Sequence, residues 1–216
     1  MRSGMRKWYP AVLVVAAFAV AVAAYPRLPA RVPVHWDIHG DVNGYGSRFV
    51  AAYLQPLIML GIAILIPILP KIDPRARNYE KFGASYELIF SAVLTIVFVI
   101  YLVTLASALG KAVPITRIVP ALVGVLLVVI GNVLPRVRSN WMVGIRTPWT
   151  LSSDGVWERT HRVGGYLLML AGAALLLASL TLQRETSFVI GFGGVVLASL
   201  ATVVYSYVAW RREPRP

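Results

Sequence analysis

The chain has 216 residues, of which 58% are hydrophobic and only 14% charged, and its mean hydropathy is +0.71. A soluble domain of this size carries roughly 25% charged residues because its surface must be wet, so the composition argues against a water-soluble globule. The net charge of +12 does not point to nucleic acid, because Lys and Arg sit between apolar blocks rather than along one face. Cysteine is absent, which removes disulfides, thiolate catalysis and cysteine-ligated metals.

Crossing the hydrocarbon of a bilayer takes about 20 mostly apolar residues. Six stretches meet that requirement and predict an all-α bundle of six transmembrane helices. The first, Tyr9–Tyr25, also reads as a signal peptide, since Arg2, Arg6 and Lys7 precede it and small residues stand at Ala21 and Ala23. The many later spans make an uncleaved anchor the simpler account. The second, Val50–Leu69, contains Gln55 and two prolines, Pro56 and Pro67, positioned to break the helix. The third, Ser85–Leu109, carries Glu87 near its edge. The fourth, Pro114–Leu134, is ended by Pro135, which lacks an amide donor and restricts its predecessor. The fifth and sixth are Val163–Leu182 and Ser187–Trp210. Gly164, Gly165 and Gly172 in the fifth, with Gly191, Gly194 and Ala198 in the sixth, predict close helix packing.

Fifteen Lys and Arg fall in the two tails and the even-numbered loops, against six in the alternate loops. By the positive-inside bias both termini are expected in the cytoplasm. The segment 33–49 then faces outward and 131–165 faces inward. Trp8, Tyr9, Tyr25, Tyr86, Tyr207 and Trp210 stand at span ends, where interfacial aromatics belong.

The outer loop reads PVHWDIHGDVNGYGSRF from Pro33 to Phe49. In an extended strand His35, Asp37 and His39 share one face, and such a set suits Zn²⁺ or a similar divalent ion, with Asp41 in reserve. The plainer reading is a set of tight turns at Gly40, Asn43, Gly44 and Gly46, whose polar side chains satisfy their own backbone.

In the inner loop, Pro148 favours an extended or turn conformation over Arg146–Trp149, and Ser152, Ser153 and Asp154 are suited to cap a helix running into the fifth span. On that helix Trp157 and His161 share a face, and Glu158 and Arg162 are placed for an i,i+4 pair. Trp141, Trp149 and Trp157 lie among Arg136, Arg138, Arg146 and Arg162. Such a cluster binds phospholipid headgroups, an anionic ligand or a partner protein, or simply anchors the loop at the interface. His161 is placed to titrate or act as a base, but with no nucleophile nearby a structural hydrogen bond is the expected role.

Gly131, Asn132, Asn140, the run Gly144-Ile145-Arg146-Thr147-Pro148-Trp149-Thr150-Leu151, and Trp157, Thr160 and His161 resemble the SdpI family of bacterial membrane proteins. Pro33, His35, Trp36, Gly40, Gly44, Tyr45, Gly46 and Ser47 resemble the small domain of unknown function that commonly precedes that region. Asp37, His39 and Asn43 depart from its pattern, which weakens the metal reading. The chain accordingly divides into a two-span hairpin over 1–70 and a four-span region over 71–216.

The resemblance implies resistance to a secreted peptide that attacks the membrane, and a receptor role in which a cytoplasmic repressor is drawn to the bilayer. On that reading Asn132, Asn140, Arg146, Thr147, Pro148, Trp149, Trp157 and His161 are the candidate inner ligand or partner site. His35, Trp36, Asp37, Gly40, Gly44, Tyr45 and Gly46 are the outer one. Neither a cofactor nor nucleic acid is expected, beyond the divalent ion weighed above. Two other classes stand beside this one: a transporter of ions or small molecules, and a membrane enzyme that is metal-dependent or acts on lipid.

Overall fold

The computed structural model describes residues 3–213. Six long helices carry the fold: α1 (Ser3–Ala24), α2 (Arg48–Ile72), α3 (Tyr79–Ala108), α4 (Ile115–Val133), α6 (Asp154–Thr181) and α7 (Arg184–Arg211). Each gives a segment long and apolar enough to cross a membrane. A two-stranded antiparallel hairpin, β1 (Arg31–Trp36) and β2 (Val42–Ser47), joins α1 to α2, and a short helix α5 (Pro148–Ser152) precedes α6. Of the residues counted for sidedness, Arg2 and Arg215 lie outside the described residues.

The helices extend past the apolar runs that announce them. α3 starts at Tyr79 and α6 at Asp154, several residues ahead of the expected Ser85 and Val163. Ser153 caps α6 as expected, its hydroxyl accepting from the Val156 amide at 3.2 Å.

The prolines of the second span do not break it. α2 runs without interruption through Pro56, Pro67 and Pro70. A proline leaves the carbonyl four residues earlier without its amide partner, and in lipid that group must be satisfied from elsewhere. Two tyrosines of α3 do this. The Tyr101 hydroxyl donates to the Ala52 carbonyl, four residues before Pro56, at 2.7 Å. Tyr86 donates to Ile66, four residues before Pro70, at 2.8 Å. At Pro56 and Pro70 the neighbouring helix thus supplies the missing donor.

α4 and α6 form the most extensive helix pair. Gly124 lies on Gly172, and Gly131 on Gly165. A Cβ at Gly124 would stand 2.7 Å from the Gly172 carbonyl oxygen, and one at Gly131 2.6 Å from that of Gly165. No side chain fits there, so the seven-residue spacing on both helices sets how closely they approach. Gly191 of α7 packs on Leu175 in the same manner, but a Cβ at Gly194 would meet nothing within 4 Å. Gly194 is therefore not a packing glycine, contrary to the sequence expectation.

α1 is held by buried Val14, Ala17 and Ala21, which join Met59 of α2 and Leu94 and Tyr101 of α3. Val32 of the hairpin, fully buried, reaches the same cluster and seats the strands on the bundle end. A second cluster, with Tyr79, Phe82, Val133, Val137 and Trp157, underlies the inner loop at the opposite end.

Candidate functional site

The segment between α4 and α6 folds as a compact polar structure, built around Asn140, Trp157 and His161, each fully buried. The Asn140 side chain acts as a local scaffold. Its carbonyl oxygen accepts from the Met142 and Val143 amides at 2.8 and 2.6 Å, and its amide donates to the Arg138 and Val143 carbonyls at 2.8 and 2.9 Å. A buried side chain with both ends satisfied fixes the turn around it.

Trp157 enters from α6 one turn before His161. Its indole N–H donates to the Val137 carbonyl at 2.8 Å, and its ring stacks on His161 with centroids 4.0 Å apart. The His161 ring lies between two backbone groups of opposite kind. Nε2 accepts from the Ile145 amide at 3.1 Å, and Nδ1 is 2.9 Å from the Trp157 carbonyl. An amide can only donate and a carbonyl only accept, so the ring is neutral with its proton on Nδ1. Gly144 passes over this pair with φ +122°, and a Cβ there would strike the His161 Nε2 and stand 3.1 Å from the Trp157 ring. Glycine is required on both counts.

Thr147 and Thr150 form a reciprocal capping box, with Pro148 at the first helical turn of α5. Arg146 and Thr147 are non-helical, as expected, but Trp149 is helical because this cap starts a helix directly after it. Thr147 Oγ1 also meets Ser206 of α7 at 3.1 Å. Thr160 is fully buried, and its hydroxyl has no hydrogen-bond partner among the described residues.

The loop is further tied to the α2–α3 connection by residues that sequence reasoning passed over. Asp73, buried at the end of α2, accepts from the Tyr79 hydroxyl and the Trp141 amide, both at 2.9 Å, and from the Arg75 amide at 2.7 Å. Arg75 donates to the Leu151 carbonyl at 2.8 Å, and Asn78 to the Ser139 carbonyl at 2.7 Å. Ser139 in turn donates to Asp154 at 2.5 Å. The bonds from Asp73, Arg75 and Asn78 to this loop join residues 61 to 76 positions apart.

The expected inner-site residues thus separate into two groups. Asn140, Thr147, Trp157 and His161 are buried and build the loop. Arg146 and Pro148 are exposed, Trp149 is half-buried against Tyr207, and Trp141 is 46% exposed. The Arg146 guanidinium donates to the Trp141 carbonyl at 2.5 Å, which holds these two side chains on one surface. Asn132 is exposed on α4 and is not part of the buried network. Glu158 pairs with Arg138 rather than with Arg162, because the folded loop brings Arg138 across to it.

The outer hairpin does not gather His35, Asp37 and His39. The strand ends at Trp36, so the alternation that would align them stops short. His35 Nδ1 meets Asn43 Oδ1 across the strands at 2.5 Å. Asp37 turns inward to its own loop and accepts from the His39 and Asp41 amides at 2.9 and 3.0 Å. The Asp41 amide, with help from that of His39, holds the Asp37 carboxyl below its ordinary value. His39 pairs with Glu185 at 3.2 Å, and Arg184 donates to the His39 carbonyl, so the turn docks on the start of α7. Among the described residues no group of three or more His, Asp or Glu is placed to hold a metal ion. A tight turn with self-satisfied polar groups describes part of this loop. The turn is confined to Gly40 and its neighbours, with Gly40 at φ +87°, whereas Asn43, Gly44 and Gly46, expected in turns, lie in strand β2, where Gly44 pairs with His35 and a Cβ would lie 2.8 Å from the His35 Cβ. Tyr45 is exposed beneath the Arg31 guanidinium, 5.0 Å from the ring centre.

Comparison with known proteins gives two family matches. Residues 136–206 match the SdpI/YfhL protein family, and residues 12–60 match a domain of unknown function, DUF1648. Over 203 residues the chain is 26% identical to the immunity protein SdpI of Bacillus subtilis (strain 168), covering 93% of this chain and 94% of that protein. No solved structure matches.

Proposed function

We propose that this chain, a member of the SdpI family of multi-pass bacterial membrane proteins, is an immunity protein that protects its cell against a secreted, membrane-attacking peptide. The observation that carries this reading is the likeness to an immunity protein along nearly the full length of both chains. Both loops fall within that length, as do the spans that join them.

The inner loop supplies the means of acting on a partner. Its buried residues are hydrogen-bonded within the loop, and its surface presents Trp141, Arg146 and Pro148 with the edge of Trp149. A rigid aromatic and arginine surface of this kind suits recognition of a protein, because little side-chain freedom is lost on binding. With the Lys and Arg bias setting this end in the cytoplasm, the partner is a cytoplasmic protein, and a repressor drawn to the membrane fits the resemblance. The outer hairpin, docked on α7 through His39 and Arg184, meets the peptide.

A binding role also accords with the state of His161. Both ring nitrogens are occupied by backbone groups, which leaves no lone pair for general-base chemistry on a lipid phosphate.

The test is resistance. Peptide-sensitive cells expressing the protein should survive a dose that kills cells without it. The Arg146→Ala, Trp149→Ala double variant should reach the membrane at the same level yet give no partner recruitment. Full recruitment and full resistance in that variant would remove the inner surface from the mechanism.

A further inference from the structure

A crevice of about 740 Å³ opens between α1, α2 and α3 on the side of the bundle nearest the inner loop. Val14, Leu60, Ile64, Pro67, Gly83 and Phe90 line it. Among the described residues Glu87 is the only charged one on its walls, and Glu87 already has an interaction within the protein. The cavity therefore offers an incoming molecule an apolar surface.

Gly83 shows that the space is not a packing defect between close helices. A glycine inside a helix weakens it and is usually retained for close approach, as at Gly124 and Gly131. A Cβ at Gly83 would instead meet nothing within 4 Å. The missing side chain widens the crevice.

Depth and charge identify the occupant. The α3 wall runs from Tyr79 to Ser91, which is about 18 Å of helix. That is close to one leaflet of a hydrocarbon layer about 30 Å thick. A partner helix spanning the bilayer needs a groove through both leaflets, whereas a phospholipid chain needs one. At the surface end, Lys71 lies on the same face of α2 as Leu60, Ile64 and Pro67, at spacings of four, three and four residues, and is exposed. Arg6 and Lys7 precede Pro10 of the facing wall in the sequence. A basic residue such as Lys71 at the end of an apolar interhelical cleft matches a phosphate headgroup.

We propose that this crevice holds one anionic phospholipid, with an acyl chain between α1, α2 and α3 and its phosphate on Lys71. Native mass spectrometry of the full chain in mild detergent tests it, with dioleoyl phosphatidylglycerol and dioleoyl phosphatidylcholine as probes. The expected result is one phosphatidylglycerol retained per chain, with roughly ten-fold preference over phosphatidylcholine. Gly83→Leu fills the cavity from a position with room for it and should abolish retention. Lys71→Glu should leave the chain pocket intact and reduce the preference about ten-fold. Should Gly83→Leu fail to fold, Lys71→Glu decides alone, because Lys71 is exposed. Equal retention of the two lipids, or phosphatidylglycerol retention unchanged by Lys71→Glu, means annular lipid only and overturns the proposal. Displacement of phosphatidylglycerol by a neutral transmembrane peptide would assign the crevice to a protein partner and overturn it equally. None of these outcomes depends on the immunity reading.

Discussion

His161 at the inner end and His35 at the outer end each lie against a glycine, in a loop that also carries an asparagine, yet the two loops are built on opposite principles. His161 is fully buried, stacked on Trp157 and hydrogen-bonded at both nitrogens to backbone. His35 is exposed and meets only Asn43 across the hairpin. Gly144 avoids a collision with a packed aromatic pair, whereas Gly44 faces the His35 side chain across the two strands of an exposed hairpin. Similar residue types therefore serve as a core in one loop and as exposed strand pairs in the other. Burial decides what each residue costs to change, so substitutions at matching positions should separate the two loops sharply.

The largest effect is expected at Gly144→Val. A branched side chain at φ +122° strains the backbone and also drives into His161 and Trp157. Together these should destabilise the protein by about 4 kcal/mol. Thermal unfolding in detergent, followed by tryptophan fluorescence, would record it. An unchanged midpoint would mean that the loop is not the packed unit described.

Asn140→Ala comes next. It leaves the Met142 and Val143 amides and the Arg138 and Val143 carbonyls without partners in a buried site. The loss should be about 3 kcal/mol, while Asn43→Ala in the exposed hairpin should stay within about 0.5 kcal/mol. Comparable losses at the two asparagines would erase the distinction between the loops.

The apolar spans were legible because lipid imposes a length and a composition that no soluble helix needs. Pro135, Ser153 and the Thr147–Pro148 turn were legible in part, since caps and prolines act on their immediate neighbours. What could not be read depends on contacts between distant positions. Nothing around Tyr86 or Tyr101 announces that each will donate to a carbonyl stranded by a proline in α2, Tyr101 at Pro56 and Tyr86 at Pro70. Gly124 and Gly131 acquire meaning only against Gly172 and Gly165. Asp73 looks like an ordinary loop acid until Tyr79 and Trp141 close over it. At the candidate site, the resemblance marked a segment but did not separate residues that build the loop from those it presents. That separation is a matter of burial, and burial follows from the tertiary fold. The outer metal set failed for a local reason: the period of two holds only as far as Trp36, and Asp37 finds the nearby amides first.

The smallest effect belongs to Asp37, and it has a pH sign. Its carboxyl is held below the ordinary value of 3.8, chiefly by the Asp41 amide and then by that of His39. A carboxylate whose folded value is depressed stabilises the folded turn above its unfolded value, and that contribution fades as pH falls through the folded one. The turn should therefore be fully formed at neutral pH and loosen only on the acid side of 3.8. Asp37→Asn keeps an acceptor oxygen but has no proton to gain, so its turn should not respond. Amide chemical shifts of His39 and Asp41, followed from pH 6 downward in detergent, should share in the unaltered protein a transition on the acid side of 3.8 that the variant lacks. A midpoint above 3.8 would show that the Asp37 carboxylate does not hold the turn.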